Sequence, residues 1–123
     1  MWKKFPHFFT GYVYTFTMQN KNIEKAMKEL GFYSLRPVQE VANKKFKEGN
    51  SFAIQAETGS GKTLAFLYPS LQEIDENCGE TQLLILSPTR ELSIQTSNLA
   101  KKLATYAKIQ VVSCIGGIPI DKQ

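Results

Sequence analysis

The stretch from Ala56 to Thr63, AETGSGKT, constrains the fold more than any other part of this chain. Glycines, a lysine and a threonine at this spacing form a phosphate-binding loop when a strand precedes them and a helix follows. Both flanks fit, because SFAIQA is short and apolar and the residues after the loop have a helical pattern. The strict motif begins with glycine, and the small alanine found here still fits the end of a strand.

The residues of the loop differ in what they can offer a nucleotide. Gly59 and Gly61 permit a tight turn and a close approach to the phosphates, which a side chain would block. Lys62 is placed to neutralise β- and γ-phosphate oxygens, and the Thr63 hydroxyl is placed to coordinate Mg²⁺. The predicted nucleotide-binding residues of the loop are Ala56, Glu57, Thr58, Gly59, Ser60, Gly61, Lys62 and Thr63.

The rest of the chain alternates between helical and strand-like patterns. Besides the helix after the loop, helices are predicted near residues 20–31, 36–49 and 90–107. The apolar runs TQLLILS and KIQVVSCI predict two more buried strands, in addition to SFAIQA. Buried strands that alternate with helices indicate an α/β fold in which a parallel sheet is flanked by helices.

Composition adds few constraints. The chain has 123 residues and a net charge of +4, which permits a polyanionic partner without identifying one. Cys78 and Cys114 form no CxxC pair, so we predict free thiols in a reducing compartment, with Cys114 in the core and Cys78 in an exposed loop. The N-terminal aromatic stretch lacks the features of a signal peptide or a membrane span, which predicts a cytoplasmic protein without a membrane partner.

A second motif lies upstream of the phosphate loop and ends in Gln39, near the start of the predicted second helix. A glutamine amide can donate to N7 and accept from N6 of adenine, the bidentate pairing that also serves in groove readout. A fixed Gln39 would therefore select adenine over guanine, which makes ATP the predicted nucleotide.

With these two motifs in order, the sequence resembles the DEAD-box family of ATP-dependent RNA helicases. The Q motif of that family has a glycine-aromatic pair followed by a Pro-x-Ile/Val-Gln end, and the matching residues here are Gly31, Phe32, Pro37, Val38 and Gln39. The family also has an aromatic residue upstream that packs on adenine. At the usual spacing this residue is Tyr14, with Phe16 as a second candidate.

Two positions of the Q motif depart from the family. Leu35 and Arg36 stand where the family usually has proline and then threonine or serine. The hydroxyl contact that the family makes at the second of these positions is therefore not available to this chain.

A third segment, PTRELSIQ from Pro88 to Gln95, is similar to motif Ia of the same family, which contacts the RNA backbone. Hydroxyl, guanidinium and helix N-terminal amide groups all suit phosphate oxygens, and none of them reads a base. RNA binding would then be independent of base sequence and sensitive to salt. A glycine doublet also matches the family, so the candidate RNA-binding residues are Pro88, Thr89, Arg90, Gly116 and Gly117.

The resemblance covers residues 14–123 and implies the N-terminal part of a RecA-like domain, truncated after its third strand and preceded by an aromatic-rich segment at 1–13. It implies ATP and Mg²⁺ as cofactors, Lys62 and Thr63 as catalytic residues, and RNA and the remaining helicase domains as partners, without a homo-oligomer. Because the Asp-Glu-Ala-Asp segment and the second domain are missing, we expect no useful hydrolysis by the isolated chain. The alternatives are a non-enzymatic nucleotide- or RNA-binding module or remnant, and a piece of a related DNA helicase.

Overall fold

The computed structural model describes residues 20–119 and residue 121. These residues form four helices, which are α1 (Lys21–Glu29), α2 (Pro37–Lys47), α3 (Lys62–Gln72) and α4 (Arg90–Ala104). All four lie where the sequence patterns predicted helices, so that part of the fold prediction is confirmed. The predicted segment at 1–13 and the two aromatic candidates Tyr14 and Phe16 lie outside the described residues.

The described part of the chain has no β-strand. The segments 51–56, 81–87 and 108–115, which were predicted as strands, have no regular secondary structure. Among the described residues, backbone hydrogen bonds outside the helices join only residues that are close in sequence, so no ladder connects one of these segments to another. The predicted parallel sheet is therefore not confirmed. Leu84 and Leu86 in the middle segment are 75% and 85% exposed, which means that their side chains lack the packing that a covered sheet would provide.

The described residues divide into two compact units. The first unit covers residues 34–73, in which α2 packs against α3. The second unit covers residues 20–33 together with the chain from residue 74 onward, and in it α1 packs against α4. The phosphate loop belongs to the first unit, and the segment similar to motif Ia belongs to the second.

The first unit is organised around α3, the helix that follows the phosphate loop. Leu64, Leu67 and Leu71 of this helix are buried, and their i, i+3, i+7 spacing places them on one face. Helix α2 begins with Pro37, which suits the first helical position because its missing N–H needs no partner there. Ala42 of α2 is 1% exposed, so the small side chain lets the two helices approach closely.

The second unit shows why the glycine-aromatic pair of the Q motif stands where it does. Gly31 has φ of 84°, the left-handed conformation that commonly ends a helix. The Gly31 N–H donates to the carbonyl of Lys28, and the Phe32 N–H donates to the carbonyl of Met27, at 3.0 and 2.8 Å. This pair of bonds is the Schellman arrangement, which satisfies the last carbonyls of α1. The glycine-aromatic pair therefore has a structural role as the end of α1.

The two cysteines are free, as predicted. Cys114 is exposed, so the prediction that it belongs to the core is wrong. Exposure alternates along its segment, and Val112, two residues earlier, is also 57% exposed. The apolar run predicted that every residue of this segment is buried, whereas only alternate residues are shielded from solvent. Cys78 is half-buried and does not have the full exposure expected of a loop residue.

Among the four described helices, none combines the length and the apolar character needed to cross a lipid bilayer.

Glu73, which follows the last residue of α3, provides a pH-dependent test of the packing in the first unit. Burial raises the pKa of its carboxyl above the ordinary value of 4.5, and the nearby charge of Lys47 lowers it in part. A carboxyl whose pKa is raised by folding favours the folded state below pH 4.5 and loses that contribution as the pH rises through the folded pKa. We therefore expect Glu73→Gln to raise the thermal unfolding midpoint at pH 7 and to raise it less at pH 4.

The expected gain is small, because the Glu73 side chain is mostly exposed and solvent screens its charge. Glu80→Gln, which removes the same charge at an exposed position in a loop, is the control. Scanning calorimetry at both pH values measures the effect. An equal change at pH 4 and pH 7 would contradict the assignment to desolvation.

Candidate functional site

The predicted phosphate loop leads directly into α3, which begins at Lys62. Gly59 and Gly61 have φ of 81° and 93°, in the left-handed region that glycine adopts without steric cost. Gly61 is the N-cap of α3, so the free N–H groups and the positive end of the helix dipole lie at the loop. The structure thus confirms the turn and the helix of the predicted motif, although it assigns no strand before them.

Gly61 is required for a second reason besides its backbone angle. A Cβ atom at this position would lie 2.5 Å from Nε2 of Gln39, a distance that real Cβ atoms essentially never have. Gln39 is only 5% exposed, so its side chain has little room to move away. The glycine therefore allows the glutamine of the Q motif to contact the phosphate loop.

The side chain of Gln39 makes two hydrogen bonds at this point. Its Oε1 accepts from the backbone N–H of Arg36 at 2.9 Å, and its Nε2 donates to the carbonyl of Gly61 at 3.2 Å. The Gln39 N–H donates in turn to the carbonyl of Arg36 at 2.8 Å. The side chain thus caps α2 and links the first turn of that helix to the first turn of α3.

Lys62 turns back over its own loop. Its Nζ donates to the carbonyls of Ala56 and Glu57, both at 2.6 Å. The ammonium group is therefore held above the start of the loop by backbone carbonyls, which fits the predicted position of a charge for phosphate oxygens. Ala56 and Glu57 thus contribute carbonyl groups to the site, while Thr58, the next residue, is exposed.

Arg36 is a member of the site that the sequence reasoning missed as a contact residue. Its Nη1 donates to the carbonyl of Gly59 at 2.7 Å. Arg36 is also the N-cap of α2 and makes no side-chain capping bond there. The sequence does contain a signal, since a cation stands where the resemblance leads one to expect a hydroxyl residue.

The polar groups of the loop fit a nucleotide phosphate. Ser60 Oγ is buried and has no hydrogen-bond partner among the described residues, and such a hydroxyl costs free energy until an acceptor reaches it. Thr63 lies half-buried in the first turn of α3. No group of three or more histidine, cysteine, aspartate or glutamate side chains in the described ranges could hold a metal.

The aromatic residues of the Q motif give no tested contact with a base. Phe32, which the resemblance implies as a nucleotide-binding residue, belongs to the second unit, where it is 38% exposed beside the end of α1. Tyr14 lies outside the described residues. Their contacts with a base therefore stay predictions.

The candidate RNA-binding residues come together within the second unit. Thr89 is the N-cap of α4, and its Oγ1 accepts from the N–H of Leu92 at 3.2 Å. Arg90 Nη1 donates to the carbonyl of Gly116 at 3.2 Å, which joins the start of α4 to the glycine doublet. A Cβ at Gly117, whose φ is 85°, would lie 3.3 Å from Arg90 Nη1. Pro88 precedes this group, and all five residues are exposed.

The loop, its lysine and the glutamine from α2 define a P-loop nucleotide-binding class of protein. Comparison with known protein families agrees with this class and identifies one family within it. Residues 36–123 match the family model described as DEAD/DEAH box helicase. Because this match covers well over half of the chain, the chain belongs to the DEAD/DEAH box helicase family, whose domains have a RecA-like fold.

Individual relatives agree with the family assignment. The chain is 38% identical over 104 residues to the ATP-dependent RNA helicase CshA of Listeria monocytogenes, an alignment that covers 85% of this chain and 20% of the relative. It is 40% identical over 107 residues to the ATP-dependent RNA helicase eIF4A of Debaryomyces hansenii, and this alignment covers 85% of this chain and 27% of the relative. The chain is also 40% identical over 97 residues to the DEAD-box ATP-dependent RNA helicase 12 of Arabidopsis thaliana, and this alignment covers 79% of this chain and 20% of the relative. The chain thus spans 20% to 27% of the length of these relatives.

The two glycines of the loop give a matched pair of variants that tests the Gln39 contact. Both have positive φ, but a Cβ at Gly59 would meet nothing within 4 Å, whereas a Cβ at Gly61 would meet Gln39. We expect Gly59→Ala to lower the free energy of unfolding by about 1 kcal/mol through backbone strain alone. Gly61→Ala should cost at least about 1 kcal/mol more, because Gln39 must also give up its hydrogen bonds.

Urea unfolding of both variants measures this difference. In a Gln39→Ala background the extra cost of Gly61→Ala should disappear, since the clashing amide is then absent. Equal costs for the two glycine variants in the original chain would show that Gln39 does not pack on the loop.

Proposed function

We propose that this chain is the ATP-binding part of an ATP-dependent RNA helicase, which in the complete protein couples ATP hydrolysis to RNA unwinding or remodelling. The observation that carries the proposal is the convergence of three groups on one loop. These are the left-handed turn at Gly59 and Gly61, the Lys62 ammonium group, and the Gln39 amide. The turn and the ammonium group suit phosphates, and the amide suits a base.

Gln39 retains the atoms that recognition of adenine needs. A glutamine amide has two N–H donors and two acceptor lone pairs, and one of each is used in bonds to Gly61 and Arg36. The remaining N–H and lone pair match N7 and N6 of adenine. Guanine presents an acceptor in place of the N6 donor, so the same amide would pair poorly with it.

Lys62 and Thr63 complete the proposed nucleotide site. When ATP is present, phosphate oxygens would replace the carbonyls of Ala56 and Glu57 as the partners of Lys62, because an ammonium–phosphate bond is stronger than a bond to a neutral carbonyl. Thr63 would hold Mg²⁺, which neutralises phosphate charge when bound.

RNA is the proposed partner of the second unit. The exposed start of α4 and the glycine doublet present the Arg90 guanidinium and backbone amides on one surface. The relatives are named as RNA helicases, which favours RNA over DNA as the polyanion. The contacts would be to the sugar-phosphate backbone and so independent of base sequence.

Phosphoryl transfer needs more groups than these 123 residues contain. A carboxylate-held metal, an oriented water and charge at the γ-phosphate must all be in place together, and the sequence has no Asp-Glu-Ala-Asp segment. We therefore propose that the isolated chain binds ATP without hydrolysing it at a useful rate. The remaining helicase domains would be its partners, with no homo-oligomer, and a cytoplasmic location stays a prediction.

The parallel sheet is also part of the proposal. Segments 51–56, 81–87 and 108–115 would become strands of the RecA-like domain when neighbouring strands pair with them. The high exposure of Leu84 and Leu86 supports this, because such apolar side chains favour a covered position.

Nucleotide titration tests the proposed specificity. In the presence of Mg²⁺ we expect ADP and ATP to bind at least about tenfold more tightly than GDP, since a mispaired buried amide costs about 1 to 3 kcal/mol. Gln39→Ala should remove most of this preference. Lys62→Ala should weaken the binding of both adenine nucleotides by about tenfold or more, because a charge-assisted bond to phosphate is lost.

Lys44→Ala, which removes an exposed cation from α2, is the charge-matched control and should leave all affinities unchanged. Calorimetry gives the dissociation constants. Equal affinity of the unmodified chain for ADP and GDP would overturn the proposed base selection.

RNA binding is tested through its dependence on salt. We expect Arg90→Ala to weaken binding to single-stranded RNA of any sequence and to reduce the slope of log K against log salt by about 1, since one phosphate contact is lost. Lys102→Ala, in the last turn of the same helix, is the control with the same charge change. Fluorescence anisotropy over a salt series measures both slopes. A slope that Arg90→Ala leaves unchanged would exclude Arg90 from the interface.

A further inference from the structure

Arg36 contacts the phosphate loop from the first turn of α2. Its Nη1 lies 2.7 Å from the carbonyl oxygen of Gly59, and its Cδ lies 3.5 Å from the point where a Cβ of residue 61 would be. The stem of Arg36 thus runs along the loop, and its head binds one loop carbonyl. A bond between a charged donor and a carbonyl is short and stronger than a neutral one, which fits this distance.

This contact fixes the direction of a backbone amide. All the described peptide bonds are trans, so the C=O of Gly59 and the N–H of Ser60 point in opposite directions within one plane. A donor that holds the carbonyl on one side therefore sets the N–H on the other. Gln39 holds the carbonyl of Gly61 in the same way and so sets the N–H of Lys62.

We propose that Arg36 is a positioning residue for the phosphate loop, which orders the turn that carries the Ser60 amide by holding the carbonyl of Gly59. In the free chain this amide donates to the carbonyl of Glu57 at 3.2 Å, and an oxygen of a nucleotide phosphate would take the place of that carbonyl. The first turn of α2 then grips two carbonyls of the loop, one through Arg36 and one through Gln39. Arg36 acts through the backbone and does not itself touch the nucleotide. The inference rests on the proposed function, because it assumes that a nucleotide phosphate is the ligand of the loop.

Nucleotides that differ in phosphate number separate this role from direct binding of phosphate by Arg36. We expect Arg36→Ala to weaken the binding of ADP and of ATP by the same factor, about three- to tenfold. The effect is modest because an exposed charged hydrogen bond contributes little to the order of the loop. Binding of adenosine, which has no phosphate, should not change. Arg36→Lys should restore part of the loss, since an ammonium group can also donate to the carbonyl.

A readout that needs no nucleotide is the hydrogen exchange rate of the Ser60 amide in the free chain. This amide donates to the carbonyl of Glu57 at 3.2 Å, so its exchange reports the order of the turn. We expect faster exchange in Arg36→Ala and an unchanged rate in Lys44→Ala, the charge-matched variant on the outer part of α2. The thermal unfolding midpoint should stay the same in both, because both side chains are exposed.

The outcomes are distinct. A loss for ATP that greatly exceeds the loss for ADP would mean that Arg36 binds phosphate directly, and would overturn the positioning role. Unchanged affinities together with unchanged Ser60 exchange would overturn it as well. If the original chain binds no nucleotide, the proposed function fails, and the exchange comparison still decides whether Arg36 orders the loop.

Discussion

The left-handed turn at Gly61, with the Gln39 amide packed against it, is the contact on which the rest of the site depends. Only glycine combines φ of 93° with a surface open enough for Nε2 of Gln39. This contact joins α2 to the start of α3, and α3 provides much of the buried face of its unit. The same residues therefore determine both how the loop is shaped and how two helices pack.

The site has many polar groups whose partners are loop carbonyls. Lys62, Gln39 and Arg36 all donate to backbone oxygens of the loop. Cations held in this way keep positive charge close to the loop before a ligand arrives. Such preorganisation lowers the cost of ordering side chains during binding.

Much of this could be predicted from the sequence, because it depends on local rules. The positions of the four helices follow from apolar periodicity and from residues such as Pro37, and the loop follows from its glycines. The Arg36 contact could not be predicted in this way, since it depends on how the start of α2 meets a loop more than twenty residues later. The sheet was inferred from apolar runs that alternate with helices, and strands need hydrogen-bonded neighbours that such a pattern does not specify. Cys114 was placed in the core by the same reasoning, which ignored the alternation of exposure along its segment.

The central claim is that one amide side chain connects the base of the nucleotide to the loop that holds its phosphates. The side-chain amide resonances of Gln39, assigned by NMR with the Gln39→Ala variant, test this directly. On addition of ADP and Mg²⁺ these resonances should shift, because the free N–H and lone pair of the amide gain partners in adenine. Addition of GDP at equal saturation should leave them near their starting positions. Resonances that stay fixed with ADP, or that move equally with both nucleotides, would contradict the claim.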